Sequence, residues 1–130
     1  MLSGLLPPSS GSATIDGLDL ATRMTDVRRR LGVCPQHDVL WPTLSCTEHL
    51  TLYATFRGVQ RTALAAEAAR VLAEVGLSEK AAAAAGTLSG GQRRKLSLAI
   101  AFVGGPSVVF LDEPTSGALG RPGCLSCCEA

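Results

Sequence analysis

The run Val108-Val109-Phe110-Leu111 ends in Asp112-Glu113-Pro114. Four β-prone apolar residues in succession predict a central parallel strand covered on both faces. α/β proteins bind ligands at the carboxyl edge of the sheet, and such a strand delivers two carboxylates there. Asp112 could hold Mg²⁺, directly or through water. Glu113 could polarise an attacking water as a general base. The same residues also read as a strand running into a solvated acidic turn, and the strand by itself leaves both readings open.

A second segment suits an anion. Ser89-Gly90-Gly91-Gln92 fits a capping box, with Ser89 at the helix N-cap and Gln92 three residues on. The two glycines let a phosphate approach the backbone, and a helix start offers unpaired N–H groups at the positive end of its dipole. An ordinary capped helix after a flexible turn has the same pattern. Arg93, Arg94 and Lys95 follow at once. Cations in a first turn oppose the dipole, which speaks for an interaction role, although a solvated basic face is the simpler account. Gln36, just past a short apolar run at 31–34, could touch a metal or orient water, or be a plain loop residue. His37 and His49 have no partner histidine at ligand spacing and read as surface or helix residues. Cys124-Leu125-Ser126-Cys127-Cys128 is half a metal site with no second ligand pair, and is better read as arbitrary tail sequence.

These residues need elements to place them. Asp16-Gly17 between the apolar runs 13–15 and 18–20 predicts a two-residue hairpin. Arg28-Arg29-Arg30 precedes the buried strand 31–34, which Pro35 ends. Thr47 caps one predicted helix, with Leu50, Tyr53 and Phe56 on one face and Gly58 near its end. Leu64, Ala68, Val71, Leu72 and Val75 repeat at helical spacing up to Gly76 and predict another. The run 81–85 is helix-friendly. A third helix, apolar on most sides and so buried, starts after the glycines at 90 and 91 and runs to about residue 103, where Gly104-Gly105-Pro106 breaks it. Residues 1–6 look like the last turn of a helix, broken at 7–11. Alternating helices and apolar strands give an α/β class.

Composition narrows the function. A chain of 130 residues, 46% hydrophobic and 18% charged, is of ordinary single-domain size. Its net charge of +1 gives no basic surplus for nucleic acid. The longest apolar run, 96–103, is interrupted by Ser97 and falls far short of the roughly 20 residues of a spanning helix, and the start has no basic signal-peptide region. Five cysteines, an odd number, argue against a disulfide framework and for a reducing compartment.

Together the motifs resemble the nucleotide-binding domain of ABC transporters. Leu88-Ser89-Gly90-Gly91-Gln92 matches the family signature in type and order. Residues 108–114 match the Walker-B strand with its catalytic glutamate, continued by Pro114-Thr115-Ser116, and Gln36 matches the Q-loop glutamine. The stretches 32–40 and 94–105 are similar to the A-subfamily of lipid exporters, especially the first of their two ATP-binding domains. The resemblance implies an incomplete P-loop NTPase domain over residues 1–116, with a helical subdomain between Q-loop and signature; residues 117–130, which show no periodicity, read as a divergent, disordered tail. It implies Glu113 as catalytic base, Asp112 and Gln36 serving Mg²⁺, and Gln36, Ser89, Gly90, Gly91 and Gln92 contacting ATP. The implied partners are a second nucleotide-binding domain and transmembrane domains, with no nucleic acid, at the cytoplasmic face of a membrane. The implied work of the intact parent is lipid transport driven by ATP hydrolysis.

The departures from the family pattern are equally specific. No G-x-x-x-x-G-K-[ST] occurs, Leu119 and Gly120 stand where the D-loop has aspartate and proline, and the switch histidine has no counterpart. The reading is therefore of a chain truncated on both sides, inactive and poorly soluble alone because a sheet edge is left uncovered. Two alternatives are a soluble ABC-type ATPase with no transport role and an inert chain that acts only by pairing with a complete domain. ATP phosphates are held in this class by the Walker-A backbone and its lysine. The 130-residue chain is accordingly expected to show no specific Mg-ATP binding in the micromolar range by titration calorimetry. Tight binding that disappears in Asp112→Ala would overturn this.

Overall fold

The computed structural model describes residue 11, residues 13–37 and residues 39–111. The segments 1–6 and 117–130, and the carboxylates Asp112 and Glu113, lie outside them. The described chain opens on the expected hairpin. β1 (Thr14–Ile15) and β2 (Leu18–Asp19) pair antiparallel, with Ile15 opposite Leu18. Asp16 and Gly17 both take positive φ, 51° and 74°, as the turn type demands. Ile15, Leu18 and Leu20 pack on Val27 and Leu31 in a small core of their own.

Val27 belongs to a helix absent from the expected elements, α1 (Met24–Arg30). It buries only that one residue, so it has no apolar period to read. Its charges carry the signal instead. Asp26 lies in the first turn and Arg28, Arg29 and Arg30 in the last, each complementing the helix dipole. Arg30 also reaches back to Asp16 in the hairpin turn at 2.7 Å.

β3 (Leu31–Cys34) follows α1 directly and pairs parallel with β4 (Val108–Leu111), Leu31 opposite Val108 and Cys34 opposite Leu111. Among the described residues each of these strands pairs only with the other. β4 is packed on both faces, as its apolar run predicts. Val108 and Phe110 lie against the hairpin core, and Val109 and Leu111 against the opposite one. Of the four residues of β4 only Val109 is buried, the others being partly exposed.

Three helices complete the fold: α2 (Cys46–Phe56), α3 (Leu64–Glu74) and α4 (Gly90–Phe102). The α3 period reads as expected, and Gly76 follows it with φ 67°. In α2 the cap is Ser45, not Thr47. Ser45 Oγ accepts from Glu48 N at 3.2 Å, and Glu48 Oε2 accepts from Ser45 N at 2.7 Å. A capping box needs an acceptor three residues on. Glu48 supplies it for Ser45, whereas Leu50 cannot for Thr47. Thr47 sits inside the first turn and its hydroxyl donates to Ala81 O at 3.0 Å. The face of Leu50, Tyr53 and Phe56 is not buried throughout. Leu50 is fully covered, but Phe56 is 68% exposed.

The run 81–85 forms no α-helix. One 3₁₀ turn, Ser78–Lys80, ends just before it, and its last residue begins another, Ala85–Thr87. The carbonyls of Ala81 and Ala83 accept instead from Thr47 N and Cys46 N. The unsatisfied donors at the start of α2 thus outcompete the helical preference of alanine.

α4 belongs to two cores at once. Leu96, Ala99, Ile100 and Val103 join α2 and α3 around the fully buried Leu50 and Leu72. Leu98 and Ala101 lie on Cys34 and Val109 of the sheet. At this second contact the helix comes so close that a Cβ on Gly32 would stand 2.2 Å from Ala101 O. The C-terminal end of α4 is held by polar groups. Arg57 Nη1 donates to Ala101 O and Val103 O at 3.1 and 2.6 Å, and Gly104 N donates to Glu67 Oε1 at 2.8 Å. Arg57 places a cation on helix-end carbonyls, where the dipole favours it.

Two outcomes follow from how α4 is seated. Gly32→Ala sets a methyl group against backbone that cannot swing aside, and is expected to cost about 3 kcal/mol, read as a fall in the denaturation midpoint. Glu67 is held below its ordinary carboxylate range, first by the Arg70 hydrogen bond and then by Gly104 N–H. A depressed pKa stabilises above the unfolded value and is lost as pH falls through the folded one. Glu67→Gln should therefore cost about 1 kcal/mol at neutral pH, a charge-assisted bond discounted for the solvent around Arg70. Denaturation curves should show that difference shrinking as pH drops below roughly 4.

Candidate functional site

The start of α4 carries the expected capping box. Ser89 Oγ accepts from Gln92 N at 3.3 Å and Gln92 Oε1 accepts from Ser89 N at 2.9 Å. Arg93 N donates to Ser89 O at 2.8 Å. The N–H groups of Gly90 and Gly91 have no acceptor among the described residues. Both glycines are exposed, and a Cβ on either would meet nothing within 4 Å. The first turn thus keeps two backbone donors beside an exposed serine, with open space above them. The side chains of Ser89 and Gln92 are engaged with each other's backbone in the cap, and the backbone N–H groups of Gly90 and Gly91 lie beside them.

Gln36 lies two residues beyond β3 and is exposed. Its backbone is tied to α4. Arg94 Nη1 donates to Pro35 O at 2.7 Å and to Gln36 O at 3.3 Å. The β3–β4 register sets Leu111 opposite Cys34, so both strands reach the same carboxyl edge, and Asp112 and Glu113 come next in sequence after β4.

The basic run 93–95 is not a uniformly solvated face. Arg93 Nη1 donates to Leu88 O at 3.2 Å. Arg94 holds the loop around Gln36. Lys95, half-buried like Arg94, lines a cavity of about 330 Å³ with Gln92, Lys80 and Glu79.

His49, read from the sequence as a surface or helix residue, lies in α2 and joins the loop to it. His49 is fully buried. Its Nε2 accepts from Trp41 N at 3.0 Å, which places the ring proton on Nδ1, 2.9 Å from Ser45 O. The Trp41 ring lies 5.8 Å from it, centroid to centroid. Nothing in its spacing sets His49 apart from a surface histidine, because its partners are backbone groups. Trp41 leads on to Tyr53 and the exposed Phe56 in a string of rings on the outer surface.

The family model described as "ABC transporter" matches residues 1–116. The chain belongs to the ABC transporter family. It is 50% identical over 117 residues to ABC transporter A family member 6 of Dictyostelium discoideum, covering 90% of this chain and 7% of that protein. ATP-binding cassette sub-family A member 7 of Mus musculus is also 50% identical over 117 residues, covering 90% of this chain and 5% of its own length. Phospholipid-transporting ATPase ABCA3 of Homo sapiens is 46% identical over 117 residues, covering 90% and 7%. The chain thus spans a small part of the curated relatives it matches, all three of the A-subfamily. Among solved structures it resembles the ATP-binding subunit of an ABC transporter with a TM-score of 0.75 and 28% identity, over 87% of this chain and 47% of that one. The fold is therefore the α/β fold of an ABC-type P-loop ATPase. Among the described residues no helix is long and apolar enough to cross a membrane.

Proposed function

We propose that the chain is the portion of an ABC nucleotide-binding domain that presents the signature helix and the Q-loop, working in an A-subfamily transporter that moves lipid. The observation that carries this is the open first turn of α4: two glycine N–H groups without an acceptor among the described residues, an exposed Ser89, and a direct tie from the same helix to the backbone of Gln36. Family membership supplies the rest. The human relative named as a phospholipid-transporting ATPase supports lipid as the cargo class.

The residues present fit a triphosphate approaching from outside. Donors without a bulky side chain suit a phosphate, and a glycine pair with nothing within 4 Å leaves it room. Mg-ATP, when bound, supplies the scissile phosphoanhydride and a metal ion that draws off its charge. We assign Ser89 and the N–H groups of Gly90 and Gly91 to the γ-phosphate of ATP held by a second nucleotide-binding domain. Gln36 and Asp112 serve the metal, and Glu113 takes the proton of the attacking water. Transmembrane domains of the parent, at the cytoplasmic face, are the partners that use the resulting movement. The 130 residues taken alone contain no Walker A, and for them we infer no turnover. Alone, such a chain acts at most by pairing with a complete domain.

The test uses a complete transporter that carries these residues at the matching place. Ser89→Arg fills the space over Gly90 and Gly91, and is expected to block ATP-dependent cross-linking between the two domains while fluorescent-nucleotide binding to its own domain stays nearly intact. Normal closure, or loss of binding in its own domain, would leave Ser89 a plain helix cap. In the same transporter Glu113→Gln should keep ATP bound and lower turnover by at least about 100-fold, the lower end of general-base catalysis. Surviving hydrolysis would remove Glu113 from that role.

A further inference from the structure

We propose that Arg94 is a positioning residue for Gln36, fastening the Q-loop backbone to the signature helix so that the two phosphate-facing segments move as one body. The inference rests on the reading of Gln36 and Ser89 given above and adds a residue to it.

The geometry is specific. Arg94 lies five residues after Ser89, roughly 7.5 Å along the helix axis. Leu98 and Ala101 follow it at i+4 and i+7, the spacing of one helix face, and both pack on the sheet core. That face therefore points at β3 and β4. Leu98 shares its core with Cys34, and one turn earlier the same face meets the next residues of the chain, Pro35 and Gln36. Arg94 is the polar continuation of an apolar contact. It is half-buried, and a single nitrogen, Nη1, reaches both Pro35 O and Gln36 O. Two successive carbonyls held from one atom leave the φ and ψ of Gln36, which lie between them, little freedom. The side chain of Gln36 leaves the chain at that Cα, so the direction of its Cα–Cβ bond is set from α4. The other end of α4 is fixed by Arg57 and by the Gly32 contact, and the helix can therefore serve as the rigid reference.

A chemical distinction makes this testable. Both carbonyls are met by one nitrogen, so a lysine ammonium, also a single nitrogen with several donors, can reproduce the contact. A methionine keeps an apolar stem of similar length and has no donor. In a complete transporter carrying these residues, Arg94→Met is expected to lower kcat by about tenfold to a hundredfold, the range for a misplaced reacting group, with KM for ATP changed by less than about threefold. Arg94→Lys should recover most of the lost kcat. In a Gln36→Ala background Arg94→Met should add less than about twofold, because residues acting as one unit are not additive. Without nucleotide, hydrogen–deuterium exchange of the segment 36–40 should quicken in Arg94→Met while that of α3 stays unchanged. Wild-type kcat in Arg94→Met, a lysine variant as impaired as methionine, a full additional loss on top of Gln36→Ala, or unchanged exchange at 36–40 would each overturn the proposal. If Gln36→Ala itself left turnover unchanged, the reading of the Q-loop would fail first, and the two failures are told apart by that single variant.

Discussion

One close approach governs the arrangement: the backbone of α4 rests on the backbone of β3, the carbonyl of Ala101 against the bare Cα of Gly32. Van der Waals contact at that distance is available only to glycine. It lets a helix that also closes the α2–α3 core lie directly on the strand pair. Leu96, Ala99, Ile100 and Val103 serve one side, and Leu98 and Ala101 the other. Without this seat the helical portion and the sheet would be two small cores joined by a loop, each short of apolar area for its size.

The two ends of the same helix are treated in opposite ways. Its C-terminal carbonyls are satisfied by Arg57, and the turn beyond them by Glu67. Its first turn is satisfied only in part. The capping box takes the donors of Ser89 and Gln92 and leaves those of Gly90 and Gly91 to an outside acceptor. Helix ends are normally completed by side chains, water or ligands. A helix anchored firmly at one end and left open at the other, over glycines with empty space above, is an arrangement that fits anion binding better than stability. Burial pushes the Arg57 guanidinium below its ordinary value, and its remaining task is to hold helix-end carbonyls at the covered end.

Much of this was legible in the sequence where the information is local. Asp16-Gly17 could only be a tight turn, Leu64 through Val75 has the helical period, and Ser89-Gly90-Gly91-Gln92 specifies its own cap. The rest depends in part on partners distant in the chain, and in part on local signals that a stronger-looking neighbour masks, such as the Ser45-x-x-Glu48 box beside Thr47. Thr47 looked like a cap until Ser45 and Glu48 completed a box, and its hydroxyl turned to Ala81, 34 residues on. The alanine run lost its helix because its carbonyls were wanted at α2. Arg94 reads as one charge in a basic run, and only the packing of Leu98 on Cys34 shows what it can reach. α1 was hidden because one buried valine makes no stripe. The two carboxylates at the heart of the proposed chemistry, Asp112 and Glu113, rest on sequence pattern and family membership, since the described structure ends at Leu111.

The join between the loop after β3 and α2 is built from Trp41, whose backbone N–H is bonded to a buried imidazole and whose ring lies beside that imidazole and Tyr53. The chain contains a single tryptophan, and it is 44% exposed. Its fluorescence is therefore not an average over the fold. It comes from one indole five residues past Gln36, with one side on a fixed helix and the other in solvent. The protein carries a built-in optical reporter at the loop that links its sheet to its helical portion.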